Sequence, residues 1–401
     1  MQEMSFRKSP VLLVEALAAR NDSGLGNMVR LYVDGLRGLA DRARIKVVLP
    51  DDCAYRPDFP CEILSVRPRP LRLWIQLAFP MLIRKHAPDA VFCIGQNLPA
   101  WRPAARYALA IPDAGPLEDL GWATSSHDPY NRRWLKRMAP KADAIVTLSD
   151  FTKGRLSALL GIPGEKINVV RPIRPAHLQG LALPANASLA PHHEARSNKA
   201  LDHQAHNHFG TAAPAPGRHP AGDYFLSLGN LEPRKNFPGL IAAYAVLKRR
   251  RPDAPPLYIA GHKAWGHAEV AMAITRLGVA DSVHLTGYLS DADRAAHLAH
   301  CLAFISSSRY EGWGLPLFEA LAQGRPSAYH AGSSQEEFAR GMALAVDCGN
   351  PAALARAMER LWIDAGERAR LTEALRSGFA EKQAYDLEGA LTAALSPLLP
   401  G

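Results

Sequence analysis

Between Ser306 and Pro326 the chain reads SSSRYEGWGLPLFEALAQGRP, which sets two carboxylates, Glu311 and Glu319, eight residues apart. The apolar run Leu302 to Ile305 leads in and reads as a buried strand, and an apolar helical pattern surrounds Glu319. Gly312 and Gly314 let a ligand approach the intervening backbone closely, and Pro316 suits the first turn of a helix. The turn Gly312-Trp313-Gly314-Leu315 would offer N–H groups, and a helix N-terminus beside a glycine turn suits a phosphate. One carboxylate would stand at the mouth of that helix and the other two turns along it. Two acceptors beside a phosphate site can hold sugar hydroxyls. The plainer alternative is a surface helix that happens to carry two glutamates.

A second constellation lies upstream in YFLSLGNLEPRKNFPGLIAAY, Tyr224 to Tyr244. A strand pattern ends at Gly229, and Arg234 and Lys235 precede a helix for which Asn236 is the expected cap. Taken alone, such a turn is usually a solvated loop. Beside a phosphate it supplies fixed positive charge, with arginine gripping two oxygens in a plane and lysine acting as a point charge. Near the N-terminus, NDSGLGN (Asn21 to Asn27) is a further glycine loop that opens a helix, although a simple turn would look the same.

The elements that must position these groups alternate. Val11 to Val14, Ile45 to Leu49, Ala90 to Ile94, Tyr107 to Ile111 and Ala144 to Leu148 are short apolar runs with helical patterns between several of them. The second half repeats this at Tyr224 to Leu228, Leu257 to Ala260, Val283 to Leu285, Leu302 to Ile305 and Ser327 to Tyr329, with helices expected over 237–250, 267–278 and 291–300. Ser149 or Asp150 can cap a helix from Phe151 that Gly161 ends. This is the sequence form of parallel α/β sheets. A chain of 401 residues is long for one core. The division expected is an N-terminal domain over 1–175, a linker with an inserted loop over 176–222, a C-terminal domain over 223–385, and a helical tail over 386–401. The linker carries seven of the fifteen histidines. Their irregular spacing, with no second cluster of Asp, Glu or Cys beside them, argues against a metal site.

These strings, together with LYIAGHKAW, HLTGYLSDADRAAHLAHC and IVTLSDFTKGRLSALLGIPGEKINVV, occur in the order found in the retaining glycosyltransferases of family 4, and SSSRYEGWGLPLFEALAQGRP resembles that family's E-x7-E motif. The resemblance runs from about Gly24 to about Leu361. It implies a GT-B fold, two doubly wound domains facing across a cleft. Carried over by position, it implies that Arg234 and Lys235 contact the donor diphosphate, that Glu311 supports the donor sugar, and that Glu319 accepts from the ribose hydroxyls. It further implies that Gly229, Gly312, Trp313, Gly314 and Leu315 border the donor, that Tyr288 and Leu289 lie by the base, and that Gly24 and Gly26 lie beneath the phosphates and the acceptor. One departure stands out. Where the family has His-Asp after the strand YALAI, this chain has Pro112-Asp113; Asp113 remains, but proline donates nothing. A His127-Asp128 pair fifteen residues later does not follow a strand.

The resemblance implies transfer of a sugar to a glycan or lipid-linked acceptor in surface-polysaccharide synthesis, with GDP-mannose the best-matching donor and UDP-glucose open. An epimerase of the same architecture and a non-catalytic sugar-nucleotide binder are the alternatives. No metal is expected, because Arg234 and Lys235 supply the charge and Asp291-Ala292-Asp293 starts a helix away from the motifs. Five cysteines without C-x2-C spacing read as reduced thiols of a cytoplasmic protein. The segment MQEMSFRKSPVLLVEALAAR reads as a first strand, since Glu15 interrupts it, and not as a signal peptide. Residues 1–180 hold 26 Lys and Arg against 17 Asp and Glu, whereas residues 181–401 hold 21 of each. Arg67, Arg69 and Arg72 precede Trp74 and Phe79, and Arg132, Arg133, Lys136 and Arg137 flank Trp134. Such interleaving suits an anionic membrane surface and peripheral attachment; no nucleic-acid module accompanies it, and a solvated basic face is the alternative.

Overall fold

The computed structural model describes residues 9–21, 23–96, 98–118, 128–173, 220 and 223–400. The expected linker and its histidines lie outside them except at Pro220, as does His127. The first sheet contains β1 (Val11–Glu15), β2 (Arg44–Pro50), β3 (Glu62–Val66), β4 (Ala90–Cys93), β5 (Arg106–Ala110), β6 (Ala144–Thr147) and β7 (Ile167–Val169), in the order β3-β2-β1-β4-β5-β6-β7. The second contains β8 (Phe225–Leu228), β9 (Leu257–Ala260), β10 (Val283–Gly287), β11 (Ala303–Ile305), β12 (Ser327–His330) and β13 (Leu344–Val346), in the order β10-β9-β8-β11-β12-β13. All pairings in both sheets are parallel.

The apolar runs form strands because both faces of each sheet are covered. Along β1, Leu12 and Val14 belong to one buried cluster and Leu13 to another, as period-two alternation requires. The helices Phe237–Arg250, His267–Leu277 and Asp291–His300 match their expected spans almost residue for residue. Ser149 caps the helix Asp150–Leu160 by accepting from the Thr152 N–H, and Gly161, at φ +65°, ends it.

In each sheet the strand order reverses between the first strand and the fourth: β1 and β4 in one, β8 and β11 in the other. A parallel sheet opens a crevice there, at the carboxyl ends of the strands. Gly24 and Gly26 follow β1, Asp113 follows β5, Arg234 follows β8, Tyr288 follows β10 and Glu311 follows β11. The tail expected over 386–401 is not separate from the first sheet's layers. Its helix Leu387–Leu395 packs on the turn Leu36–Leu39, where a Cβ placed on Gly35 would lie 2.6 Å from Leu391 Cδ1. The same buried cluster includes Phe379, Leu387 and Leu391 together with Tyr32 of the first domain and Phe318 of the second.

Candidate active site

The loop after β8 is fastened to the loop after β11. The Ser307 hydroxyl donates to the Lys235 carbonyl at 2.7 Å, and the Arg309 N–H donates to the Arg234 carbonyl at 2.9 Å. This brings four charged side chains together. Arg234 Nη1 donates to Glu311 Oε2 at 2.8 Å, Lys235 Nζ donates to Glu311 Oε1, and Arg234 Nε donates to Glu232 Oε2 at 2.8 Å. Lys235 and Glu311 are only 6% and 7% exposed. Burial alone would push the Glu311 carboxyl up, but Lys235 and Arg234 outweigh it and hold it at about 2. Gly229, at φ +151°, lies under the lysine stem, 2.9 Å from Lys235 Cε to an added Cβ. Asn236 does not cap the following helix: it sits at φ +54° and its amide donates to the Cys348 carbonyl at 2.8 Å. It ties the loop to the segment just after β13 instead.

The opposite wall comes from the first domain. A Cβ on Gly312 would lie 2.2 Å from the Pro112 carbonyl oxygen and 3.1 Å from Asp113 Cβ, so the two domains meet at this glycine. Asp113 Oδ1 accepts from the Gly115 N–H at 2.8 Å. Burial raises its carboxyl above the usual range, Arg234 across the cleft partly offsets this, and Glu311 and Glu232 add to it. The position where the family carries histidine is thus filled by a main-chain contact to Gly312. A second contact across the domains, which the sequence did not announce, joins the Phe151 N–H to Glu337 Oε1 at 2.7 Å. An open recess of about 590 Å³ lies there, lined by Asp150, Phe151, Ser333, Glu337 and Arg340 among others. Replacing Gly312 with alanine is expected to force the domains apart, because the obstructing atom is backbone. Small-angle scattering should show a larger radius of gyration with little change in the far-UV spectrum; an unchanged radius would contradict the contact.

Glu319 lies on the helix Leu315–Ala322, its side chain 15% exposed, with Oε2 3.3 Å from Arg294 Nε. Arg294 also pairs with Asp291 at 3.2 Å. The expectation that Asp291-Ala292-Asp293 lies away from the motifs is therefore wrong: Arg294 ties the start of that helix to Glu319. Burial raises the Glu319 carboxyl, with Arg294 opposing. Trp313 turns inward, 4.8 Å from Phe338 between ring centroids, and is buried. Gly314, at φ +99°, backs onto Gln335. Leu289 is buried as well, whereas Tyr288 is 53% exposed and stacks on His262 at 4.3 Å, a residue that sequence reasoning missed. Of the glycine loop, Gly26 is required, since a Cβ there would meet the Asn21 carbonyl at 1.9 Å; Gly24 faces open space.

Two facing Rossmann-like sheets with a charged cluster at the switch point of the second define the class: a GT-B glycosyltransferase fold. The solved structure of WaaG, a glycosyltransferase involved in lipopolysaccharide biosynthesis, superposes with a TM-score of 0.63 at 13% identity, covering 96% of this chain and 99% of that one. Anabaena HepE in complex with UDP-glucose gives 0.63 at 15% identity, covering 96% and 99%. At these identities the likeness is one of fold. Residues 13–173 match the sequence model described as Glycosyltransferase Family 4, and residues 214–377 match that described as Glycosyl transferases group 1. The chain thus carries a Glycosyltransferase Family 4 domain followed by a Glycosyl transferases group 1 domain. Among characterised relatives, O-antigen chain mannosyltransferase B of Escherichia coli is 26% identical over 198 residues, 49% of this chain and 45% of that protein. The match thus spans less than half of that relative's length.

Proposed function

We propose that the chain is a retaining transferase that moves mannose from GDP-mannose to a glycan or lipid-linked acceptor in surface-polysaccharide assembly. The observation that carries this is the Glu311 carboxylate held between Lys235 and Arg234 at the inner wall of the cleft. Without donor, Glu311 acts as counter-ion to both cations. An arriving diphosphate competes for them, draws their hydrogen bonds to its own oxygens, and frees Glu311 to accept from the donor sugar. The cations then face the charge that develops on the leaving diphosphate, which is where fixed charge lowers a barrier. Glu319 is assigned to the ribose hydroxyls and the exposed Tyr288–His262 pair to the base. Arg234 and Lys235 supply the charge a divalent cation would otherwise bring, so transfer should proceed with EDTA present. The match to an O-antigen mannosyltransferase supports mannose as the sugar.

The test is a thermal-shift panel over GDP, UDP and their sugars, followed by turnover of labelled GDP-mannose and assignment of the product anomer. A ligand at 100 times its dissociation constant should stabilise by about 2.7 kcal/mol. Arg234→Ala is expected to weaken GDP binding at least about tenfold, since a hydrogen bond to a charged group contributes about 1.5–3 kcal/mol. A shift with UDP-glucose alone would replace the donor, and unchanged GDP affinity in Arg234→Ala would remove that residue from the site. Pro112 favours a second reading, a sugar-nucleotide binder without turnover. Binding with no product from any donor would select it.

A further inference from the structure

The segment after β3 is apolar on two opposite sides. It forms the helices Leu71–Gln76 and Ala78–His86, nearly continuous through Leu77. Ile75, Phe79 and Ile83, spaced by four, are buried in the first domain's outer cluster. Residues two positions away lie on the other side of a helix, and there Leu73, Leu77 and Met81 repeat the same spacing. They are 54%, 60% and 57% exposed, with Leu71 at 40%. Trp101, 50% exposed, is close by, since the adjacent Ala100 N–H donates to Gln76 Oε1 at 2.9 Å. Five of the nine large apolar side chains exposed among the described residues thus gather on one surface. The aromatic residues that sequence reasoning assigned to such a surface face elsewhere: Phe79 is fully buried, and Trp74 stacks on it at 5.4 Å.

Along the segment itself the charge has one sign. From Arg67 to His86 there are five Lys and Arg and no acidic residue. Arg67 and Arg69 are 87% and 77% exposed, and their pairs with Asp51 and Asp52 are surface pairs that cost little to open. An apolar stripe flanked by cations is complementary to an anionic bilayer, which takes the leucines below the headgroups and holds the cations at them. A protein partner of this fit would need an acidic, apolar-centred face.

We propose that residues 67–86, with Trp101, form a docking surface for an anionic lipid bilayer. The surface also bears on the cleft. Asp52 contacts both Arg69, at 3.1 Å, and Arg20, at 3.5 Å, and Arg20 leads into the glycine loop. Docking would therefore bring the acceptor side of the cleft to the membrane, the plane from which a lipid-linked acceptor must enter.

The experiment spins the full-length protein with vesicles of phosphatidylcholine and with vesicles containing equal parts phosphatidylglycerol, at low and physiological salt. Wild type should sediment with the anionic vesicles, less so as salt screens the cations over about 8 Å. Leu73→Gln/Leu77→Gln/Met81→Gln leaves the charge unchanged and should lower affinity at least about tenfold at either salt, as three apolar insertions are lost. Arg67→Glu/Arg69→Glu/Arg72→Glu should weaken binding at low salt by about fivefold or more per cation. Both variants should keep the GDP thermal shift, which reports an intact second domain whether or not transfer is observed. If the triple glutamine variant does not fold, Leu77→Gln, at the most exposed of these positions, carries the same comparison. Wild type left in the supernatant at low salt overturns the proposal, as does undiminished binding of the glutamine variant. A wild-type dimer that this variant converts to monomer would make the face a subunit contact and equally overturn it.

Discussion

Glu311→Gln is expected to lose sugar transfer by at least about a hundredfold, the scale seen when one preorganised group facing a transition state is removed, while its affinity for bare GDP holds or rises. The reason is the resting state of the site. Glu311 occupies both Arg234 and Lys235 through its two oxygens. A neutral side chain of the same shape leaves those cations unopposed for the diphosphate, yet cannot act as a charged acceptor for the sugar. Glu319→Ala should do the reverse and weaken GDP with or without its sugar, because the proposed partner is ribose and because Arg294 would lose its neighbour at 3.3 Å. Calorimetry of GDP and GDP-mannose against both variants decides it. Equal losses of GDP affinity in the two would end this division of roles.

Lys235→Ala should carry the largest structural penalty of any substitution at the site. The lysine is buried beside a buried carboxylate, and removing one member of such a pair costs about 3–5 kcal/mol because the other charge is left behind. The cost should fall near the lower figure, since Arg234 continues to hold Glu311 at 2.8 Å. The double variant Lys235→Met/Glu311→Gln removes both charges and should recover most of the loss in urea unfolding, yet remain inactive. A Lys235→Ala protein as stable as wild type would mean that the ammonium reaches solvent and the pair contributes nothing.

Much of this arrangement was legible in the chain, and its limits have physical causes. Interior strands such as β4 and β11 announce themselves as continuous apolar runs because both faces are covered. The strands that sequence reasoning missed, β3, β7 and β13, are all terminal in their sheets and only partly buried, so their residues alternate weakly. The spacing of Glu311 and Glu319 and the Arg-Lys turn were visible as motifs, but their pairing was not: Lys235 meets Glu311 across 76 positions. Nor could sequence tell which way Trp74, Phe79 and Trp313 would turn, because an aromatic on a helix or turn serves a core and a surface equally well. Pro112 was legible as a vacancy in a pattern. Only the fold reveals that its carbonyl touches Gly312.

The helix Leu387–Leu395 has a consequence for how the protein is made. It covers Gly35, Leu36 and Leu39, the end of the first helix, yet it is translated after the whole second domain. Synthesis proceeds from the N-terminus, and domains ordinarily fold as units while they emerge. Here the first domain leaves the ribosome with an apolar patch uncovered, and the helix that covers it arrives only after the second domain has been made. A ribosome-stalled nascent chain ending before Leu387 should therefore be sensitive to protease around Gly35–Leu39 and occupied by chaperones, even though every strand of its first sheet has been made. Emergence of Leu387–Leu395 should then protect both domains together, so that the cleft is completed only once this helix is in place.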